Sequence, residues 1–188
     1  YLTGYFAEVD LGVDLISSAV RRWESSTGRS NPRILEIGSG LGLVHRILGS
    51  ANYDVTGLEP SGLGFEYISA GLDIIEELAG PAATPLIRGR AEELADLGIG
   101  SFDVICSTYV LEHVPSVSVV LRSIGEVLNP DGLSLHLMPN YRVPFDPHFG
   151  VPVNAPTAKI ARKAFAPLVE RHPALWESLN FVTARSLE

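Results

Sequence analysis

Apolar residues fall at two spacings along the chain, and the switches between them outline its elements. Between Glu8 and Trp23, the residues Val9, Val13, Ile16, Val20 and Trp23 recur at steps of three or four. That is one face of an amphipathic helix, closed by Ser25-Ser26-Thr27-Gly28. Next, Ile34, Leu35 and Ile37, interrupted by Glu36, read as a short buried strand whose carboxylate must face a ligand or find a partner. Gly38, Gly40 and Gly42 follow at alternate positions, and Leu41 to Leu48 returns to helical spacing. Tyr53 to Leu58 predicts a second strand, and Phe65, Ile68, Leu72, Ile75 and Leu78 a helical stripe closed by Gly80-Pro81. Pro85 to Gly89 is a third strand, with Arg90 to Leu94 opening a short helix, and Ser101 to Thr108 a fourth. Val117, Val120, Leu121, Ile124 and Leu128 stripe another helix, stopped by a turn at Asn129-Pro130-Asp131-Gly132, before a fifth strand at Leu133 to Met138.

Strands alternating with helices of this length predict an α/β fold, a parallel sheet covered by helices on both faces. In such sheets the ligand lies beyond the C-terminal strand ends. The glycines, Glu59, Arg90 to Glu92, Ser107 to His113 and Pro139-Asn140 all sit at those ends, so five strand ends point at one edge. Beyond Asn140 the texture changes. Residues 141 to 152 are rich in proline and aromatics without a regular period, and they predict an ordered loop beside the site. Tyr141, Phe145 and Phe149 are candidates to wall an acceptor pocket there. Residues 156–171 and 173–188 read as two helices.

Composition narrows the partners. The 188 residues are 46% hydrophobic and 19% charged, which is globular rather than disordered. A formal net charge of −8 with no basic run disfavours nucleic acid or an anionic membrane surface as partner. No stretch is long enough to span a bilayer. Glu8, Asp10 and Asp14 stand where a signal peptide would be apolar. The one cysteine, Cys106, lies in an apolar run and reads as a buried structural thiol, so the expected compartment is the cytoplasm. The chain opens on Tyr1 rather than Met, which points to a longer parent chain.

The glycine turn needs a ligand. A dinucleotide fingerprint would place a third glycine where Leu43 stands, and a pyrophosphate would be repelled by Glu36 two residues before the turn. An ammonium or sulfonium would be attracted instead. Glu59 lies 21 positions after Gly38, at the end of the second strand, where a carboxylate accepts from two ribose hydroxyls. Together these residues specify an adenosine-like ribose plus a cationic tail.

On those residues the chain resembles the class I S-adenosylmethionine-dependent methyltransferases, of the small-molecule type. The resemblance runs over residues 33 to 140: Leu35 to Gly42, Gly57-Leu58-Glu59-Pro60-Ser61, Gly89 to Leu94, Ser101 to Ile105, Val110-Leu111-Glu112-His113-Val114 and Leu128 to Leu133. It implies a Rossmann-like, doubly wound, mostly parallel sheet. It implies S-adenosylmethionine as cofactor, with S-adenosylhomocysteine as product. Glu36, Gly38, Ser39, Gly40 and Gly42 would hold the methionine part, Glu59 and Pro60 the ribose, and Ala91 and Glu92 the adenine. Ser107, at the end of the fourth strand, joins the set. Arg90 stands where many relatives carry an Asp that contacts adenine.

His113 and His148 are the candidate general bases, Glu112 pairing with His113 just past the fourth strand. Some relatives bind a divalent metal with a Glu-x-x-Glu-His set and a further His. Tyr109 replaces the first Glu here, so no resident metal is expected. His136 is expected to pack or face a helix, and His45 and His172 to lie on the surface.

The expected reaction is in-line transfer of a methyl group to an oxygen, nitrogen or carbon of a small molecule. A nucleotide-cofactor oxidoreductase of NAD type and a non-catalytic scaffold subunit are the alternatives. One domain is expected over 1–188: a helical cap at 1–30, a cofactor-binding core at 33–140 and an acceptor-side segment at 141–188. The resembling family has seven strands and the sequence supplies five. The chain is therefore expected to be a fragment, or a homodimer mate or other partner to cover the edge of strand five.

Overall fold

A computed structural model describes residues 2–62, 66–79 and 84–187. Five parallel strands form one sheet: β1 (Arg33–Ile37), β2 (Asp54–Glu59), β3 (Leu86–Arg88), β4 (Phe102–Thr108) and β5 (Leu128–Leu137). They are ordered β3-β2-β1-β4-β5. Strand order reverses at β1, and the crevice beside that reversal is where an open α/β sheet receives its ligand. Before the first strand runs α1 (Leu2–Thr27), and between the strands run α2 (Leu43–Ser50), α3 (Glu66–Ala79) and α4 (Val117–Val127), with a 3₁₀ turn at Ala91–Leu97.

The central strands are apolar on both faces, which puts the core in two layers. Ile34, Val104 and Cys106 point into one layer with Val9, Ile16 and Trp23 of α1 and Val44 and Leu48 of α2. Leu35, Ile37 and Ile105 point into the other, with Leu94, Leu111, Val120 and Ile124. Each fully buried aliphatic side chain contributes about 1.5–3 kcal/mol. Cys106 is fully buried, and burial pushes its thiol up to about 12, so it is the structural thiol expected. Asp103 fastens the strand starts, accepting from Arg33 N at 2.9 Å and Asn129 Nδ2 at 3.0 Å.

Several elements differ from the sequence pattern. The amphipathic helix is longer than expected, because α1 extends to Leu2. Asn129 to Gly132 do not separate α4 from a later strand. Phe102 pairs with Leu128 and Val104 with Leu133, so the turn is absorbed as a bulge inside β5. In the stripe after β2, Leu72 is buried, Ile68 and Ile75 are half-buried, Leu78 faces solvent, and Phe65 and Gly80-Pro81 lie outside the described residues. The two C-terminal helices are broken: α5 (Ala158–Ala164), α6 (Ala166–Val169) and α7 (Pro173–Ser178) are short. The chain then runs without helix to a 3₁₀ turn at Ala184–Leu187, with Phe181 in the left-handed region at φ 53°.

The proline-rich loop is irregular, as its sequence predicts, but its aromatics do not wall the cleft. Tyr141 and Phe149 pack with Val151, Val153, Trp176 and Leu179 in a third cluster, and Phe145 faces solvent. The prolines block regular structure, so the aromatic side chains supply the cohesion. No strand pairs the outer side of β5 among the described residues, and no helix there is long and apolar enough to cross a membrane.

Replacing Ile105, fully buried at the sheet centre, by Ala should cost about 2–5 kcal/mol in urea unfolding. A loss well under 1 kcal/mol would contradict this core assignment.

Candidate functional site

A cleft of about 580 Å³ opens at the C-terminal edge of β1, β2 and β4. Its first half is built from the glycine turn, the end of β2 and the 3₁₀ turn: Gly38, Gly40, Glu59, Pro60, Ala91 and Glu92 line it. Its second half is Tyr109, Val110, His113 and Val114 after β4, faced by Ser178 to Asn180 after α7.

The turn itself needs its glycines. Gly38, Gly40 and Gly42 have φ of 71°, 55° and 72°, in the left-handed region. A Cβ on Gly38 would also collide with Val110 Cγ2. Glu59 holds the turn from β2, its Oε2 accepting from Gly40 N at 2.8 Å. Burial raises the Glu59 carboxyl, while the Gly40 N–H and Arg88 draw it down. Each carboxylate oxygen accepts two hydrogen bonds, so capacity remains for a diol.

Glu36 lies behind the turn rather than on the cleft wall. It accepts from the backbone N–H of His45, in the first turn of α2, a helix start whose own N-cap is Gly42 and offers no side chain. Its Oε2 finds no hydrogen-bond partner. Burial, with Glu59 nearby, pushes its carboxyl from 4.5 up to about 8. His45 Nδ1 stands 3.8 Å from Glu36 Oε2 but supplies no charge, because burial takes that ring down to about 4. His45, expected at the surface, is fully buried; its place under the glycine turn is a tertiary fact that helical spacing does not reveal.

The remaining expected residues divide. Ser39 is buried, its Oγ donating toward the Glu36 and Leu58 carbonyls at 3.4 Å. Ser107 is bonded to His136 Nδ1 at 2.7 Å, and His136 Nε2 to Ser134. Neither serine lines the cleft, nor does Gly42. Arg90 lies on the wall with its Nε 3.7 Å from Glu92 Oε2, and Glu92 Oε1 is buried without a partner. His172 is half-buried rather than exposed.

His113 lines the cleft and its Nδ1 is 2.8 Å from Ser178 Oγ. Burial and the charge of His148 push it down to about 3, so the ring is neutral at neutral pH. His148 stands behind it, with ring centroids 5.0 Å apart. Burial alone would lower His148. The Asp146 hydrogen bond and the charges of Asp146, Glu112 and Glu8 outweigh it and raise the ring. Asp146 is fully buried and accepts from Tyr141 OH at 2.6 Å and Phe149 N at 2.8 Å as well. Glu112, also fully buried, has neither carboxyl oxygen hydrogen-bonded to another residue; its Oε1 stands 3.8 Å from His148 Nε2, and burial pushes it up to about 7. Glu112, His113 and His148 each bring one ligating atom within 4.8 Å of the others.

Sequence reading missed three contributors. Tyr109 has φ 56°, a conformation that costs a non-glycine residue about 1–2 kcal/mol. Asn180 clamps the loop after β4: its Nδ2 donates to the Leu111 and Val114 carbonyls at 2.7 and 2.9 Å, and its N to Glu112 O at 2.9 Å. Tyr5 of α1 reaches the glycine turn, its hydroxyl accepting from Leu41 N–H. None belongs to a spaced pattern. Only the Asn-Phe pair at 180 and 181, poor at continuing a helix, hints at one of them.

A model of the methyltransferase domain matches residues 14–188. The chain belongs to the methyltransferase domain family. Among curated relatives, this methyltransferase domain is 34% identical to an uncharacterized protein of Mycobacterium tuberculosis (strain ATCC 25618 / H37Rv), over 80% of this chain and 52% of that protein. It is 35% identical to the ubiquinone biosynthesis O-methyltransferase of Azorhizobium caulinodans, over 55% of this chain and 38% of that enzyme. The chain spans about half the length of the first of these relatives. Among solved structures, the CcbJ methyltransferase from Streptomyces caelestis aligns at TM-score 0.52 and 20% identity, over 70% of this chain and 49% of that one. The bifunctional kinase-methyltransferase WbdD aligns at TM-score 0.53 and 18% identity, over 71% and 29%. At these identities the structures share the fold, the Rossmann-like parallel sheet expected.

Glu36 sets a pH dependence. In the unfolded chain it ionises near 4.5, and in the folded chain near 8. Between those values the folded state binds the extra proton, so stability falls as pH rises from about 4.5 to 8. Glu36→Gln should remove part of that fall, with urea midpoints that decline less across the window. Parallel declines in both proteins would rule out a protonated, buried Glu36.

Proposed function

We propose that this methyltransferase domain binds S-adenosylmethionine and transfers its methyl group to a hydroxyl oxygen of a small molecule. One observation carries the reading. Two buried carboxyl groups bracket the glycine turn, Glu36 from behind it and Glu59 from β2, and a sulfonium or ammonium at the turn would draw both into the ionised form, whereas phosphate would oppose it. An orphaned atom on the cleft wall fits the same ligand: Glu92 Oε1 suits an adenine amino group. The NAD alternative would set a pyrophosphate against Glu36 and Glu59, the two acids that flank this turn. The O-methyltransferase relative supports oxygen over nitrogen or carbon as the acceptor atom.

S-adenosylmethionine supplies a methyl group on a sulfonium, a good leaving group. The chain's task is to align it with the acceptor and exclude water, and such alignment can supply about 7–11 kcal/mol. The acceptor proton falls to the histidines, and a positioned base adds about 10²–10⁴-fold. His148, drawn up by Asp146 and Glu112, is the stronger base, while His113, on the wall, is neutral and orients the acceptor.

Glu112, His113 and His148 are spaced to hold a divalent cation, with water completing the shell. Such a cation would polarise an acceptor oxygen. The reading keeps the transfer independent of it, because Tyr109 replaces the first carboxylate of the metal-binding set.

Calorimetry with S-adenosylhomocysteine, then methyl transfer from labelled donor to a panel of hydroxylated metabolites, tests the activity. Absence of binding would end it, and binding without transfer to any acceptor would favour the scaffold reading. Glu59→Ala should weaken S-adenosylhomocysteine about 10- to 100-fold, the loss of hydrogen bonds to a charged group; an unchanged Kd would remove the ribose assignment. Treatment with EDTA followed by dialysis should leave the transfer rate unchanged, and a rate restored only by added Mg²⁺ or Zn²⁺ would overturn metal independence.

A further inference from the structure

Tyr109 is the first residue after β4 and takes a left-handed backbone, φ 56°, that a tyrosine does not choose by itself. Its surroundings impose it. Tyr109 N donates to Leu137 O at the end of β5, at 2.8 Å. The next side chain, Val110, is pressed against Gly38 where no Cβ could fit. Val110 O accepts from His113 N at 2.9 Å, and Asn180 grips the carbonyls of Leu111 and Val114 from the far side. Glycine or asparagine would occupy this backbone at lower cost, so what the position gains is the ring.

That ring stands where the two halves of the cleft meet. Tyr109 is the one cleft-lining residue among those described that carries a six-membered aromatic ring, and it meets His148 edge-on, with centroids 6.0 Å apart at 82°. The wall beyond it is apolar, with Val110, Val114 and Leu179. Its one acidic side chain is Glu177, at the rim, mostly exposed and already 3.2 Å from Arg162. The buried charges nearby, His148 with Asp146 and Glu112, are paired with one another off the wall, so a charged acceptor gains little there, whereas a flat neutral ring finds an aromatic face and an apolar slot.

We propose that Tyr109 is the residue that determines acceptor specificity, selecting a flat, uncharged ring that bears the nucleophilic hydroxyl. The proposal rests on the methyltransferase reading and adds a residue and a shape criterion to it. The transferred methyl carbon leaves sulfur with its bonding pair staying on sulfur. The ring oxygen forms the new C–O bond, and its proton passes to the histidine pair.

Phenol and cyclohexanol separate shape from chemistry, since each has six carbons and one hydroxyl and only phenol is flat. Both would be titrated into the full chain saturated with S-adenosylhomocysteine and followed by amide NMR shifts. Phenol should bind tighter than cyclohexanol by about 2- to 12-fold, the range of an aromatic pair. Tyr109→Phe should keep that preference and Tyr109→Leu should remove it. If the Leu variant does not fold, Tyr109→Asn, which tolerates the left-handed backbone, takes its place. Equal affinities in the natural chain, no detectable phenol binding, or a preference that survives loss of the ring would each overturn the proposal. Failure of S-adenosylhomocysteine to bind strikes the methyltransferase reading first and takes this one with it. Donor-product binding without a phenol preference overturns this one alone.

Discussion

One side-chain hydrogen bond, from Gly40 N–H to Glu59 Oε2, completes the tie between the glycine turn and the neighbouring strand, beside the backbone bonds from Gly38 N and Ser39 N to Leu58 O at 2.8 and 3.1 Å. Three glycines with positive φ have no side chains of their own to fix their path, and a turn of that kind is costly to order. Glu59 fixes it from β2. Glu36, the last residue but one of β1, fixes the helix that follows by accepting from His45 N–H. Two carboxylates from adjacent parallel strands therefore hold both ends of the turn. The cost is two buried acids with raised pKa values, of which Glu59 is only partly offset by Arg88 and Glu36 has no cation acting on it. A positively charged ligand end would relieve that cost, so the same arrangement serves folding and binding.

The sheet makes this possible because its registry is parallel and its order reverses at β1. Glu36 pairs across to Gly57 on one side and Cys106 on the other, and Glu59 lies opposite Arg88. Gly57 is small for a reason: a Cβ there would lie 2.6 Å from Ser39 Oγ and 3.0 Å from His45 Nδ1. The glycine turn, its serine and the buried histidine thus share one packing constraint. Ser39, Gly42 and His45 support the cradle without lining the cleft, and substitutions there would act through the turn.

The donor half was legible in sequence because its chemistry is local. A carboxylate two residues before a glycine run, and an acid at the next strand end, carry their meaning in spacing alone. The order of strands and helices followed from the switch between two apolar periods. The bulge in β5 was not legible, since Asn129 to Gly132 have the composition of a turn and only pairing to β4 shows that the strand passes through them. Nor was the burial of His45, which depends on what packs above α2. Tyr141 and Phe149 misled for a related reason: aromatics in a proline-rich loop serve a pocket or a small core equally well, and here Trp176 and Val151 decided for the core.

The acceptor half escaped sequence reading for a deeper physical reason. Its walls meet across about seventy residues of chain, with Asn180 bonded to Leu111 and Ser178 to His113. Contacts at such separation leave no periodic trace, and neither partner is a residue type that announces the pairing. The third cluster is what brings them together, because Trp176 and Leu179, on either side of Ser178, are anchored in it. Substitutions in the proline-rich loop can therefore move the acceptor wall without touching it, while the glycine turn, held by β1 and β2, stays in place. The inner acceptor wall, Val110 and Val114, shares the core that holds the donor half, and only the outer wall, at Leu179, rests on the third cluster. Acceptor choice can therefore change from the outer wall while the inner wall stays fixed to the glycine turn.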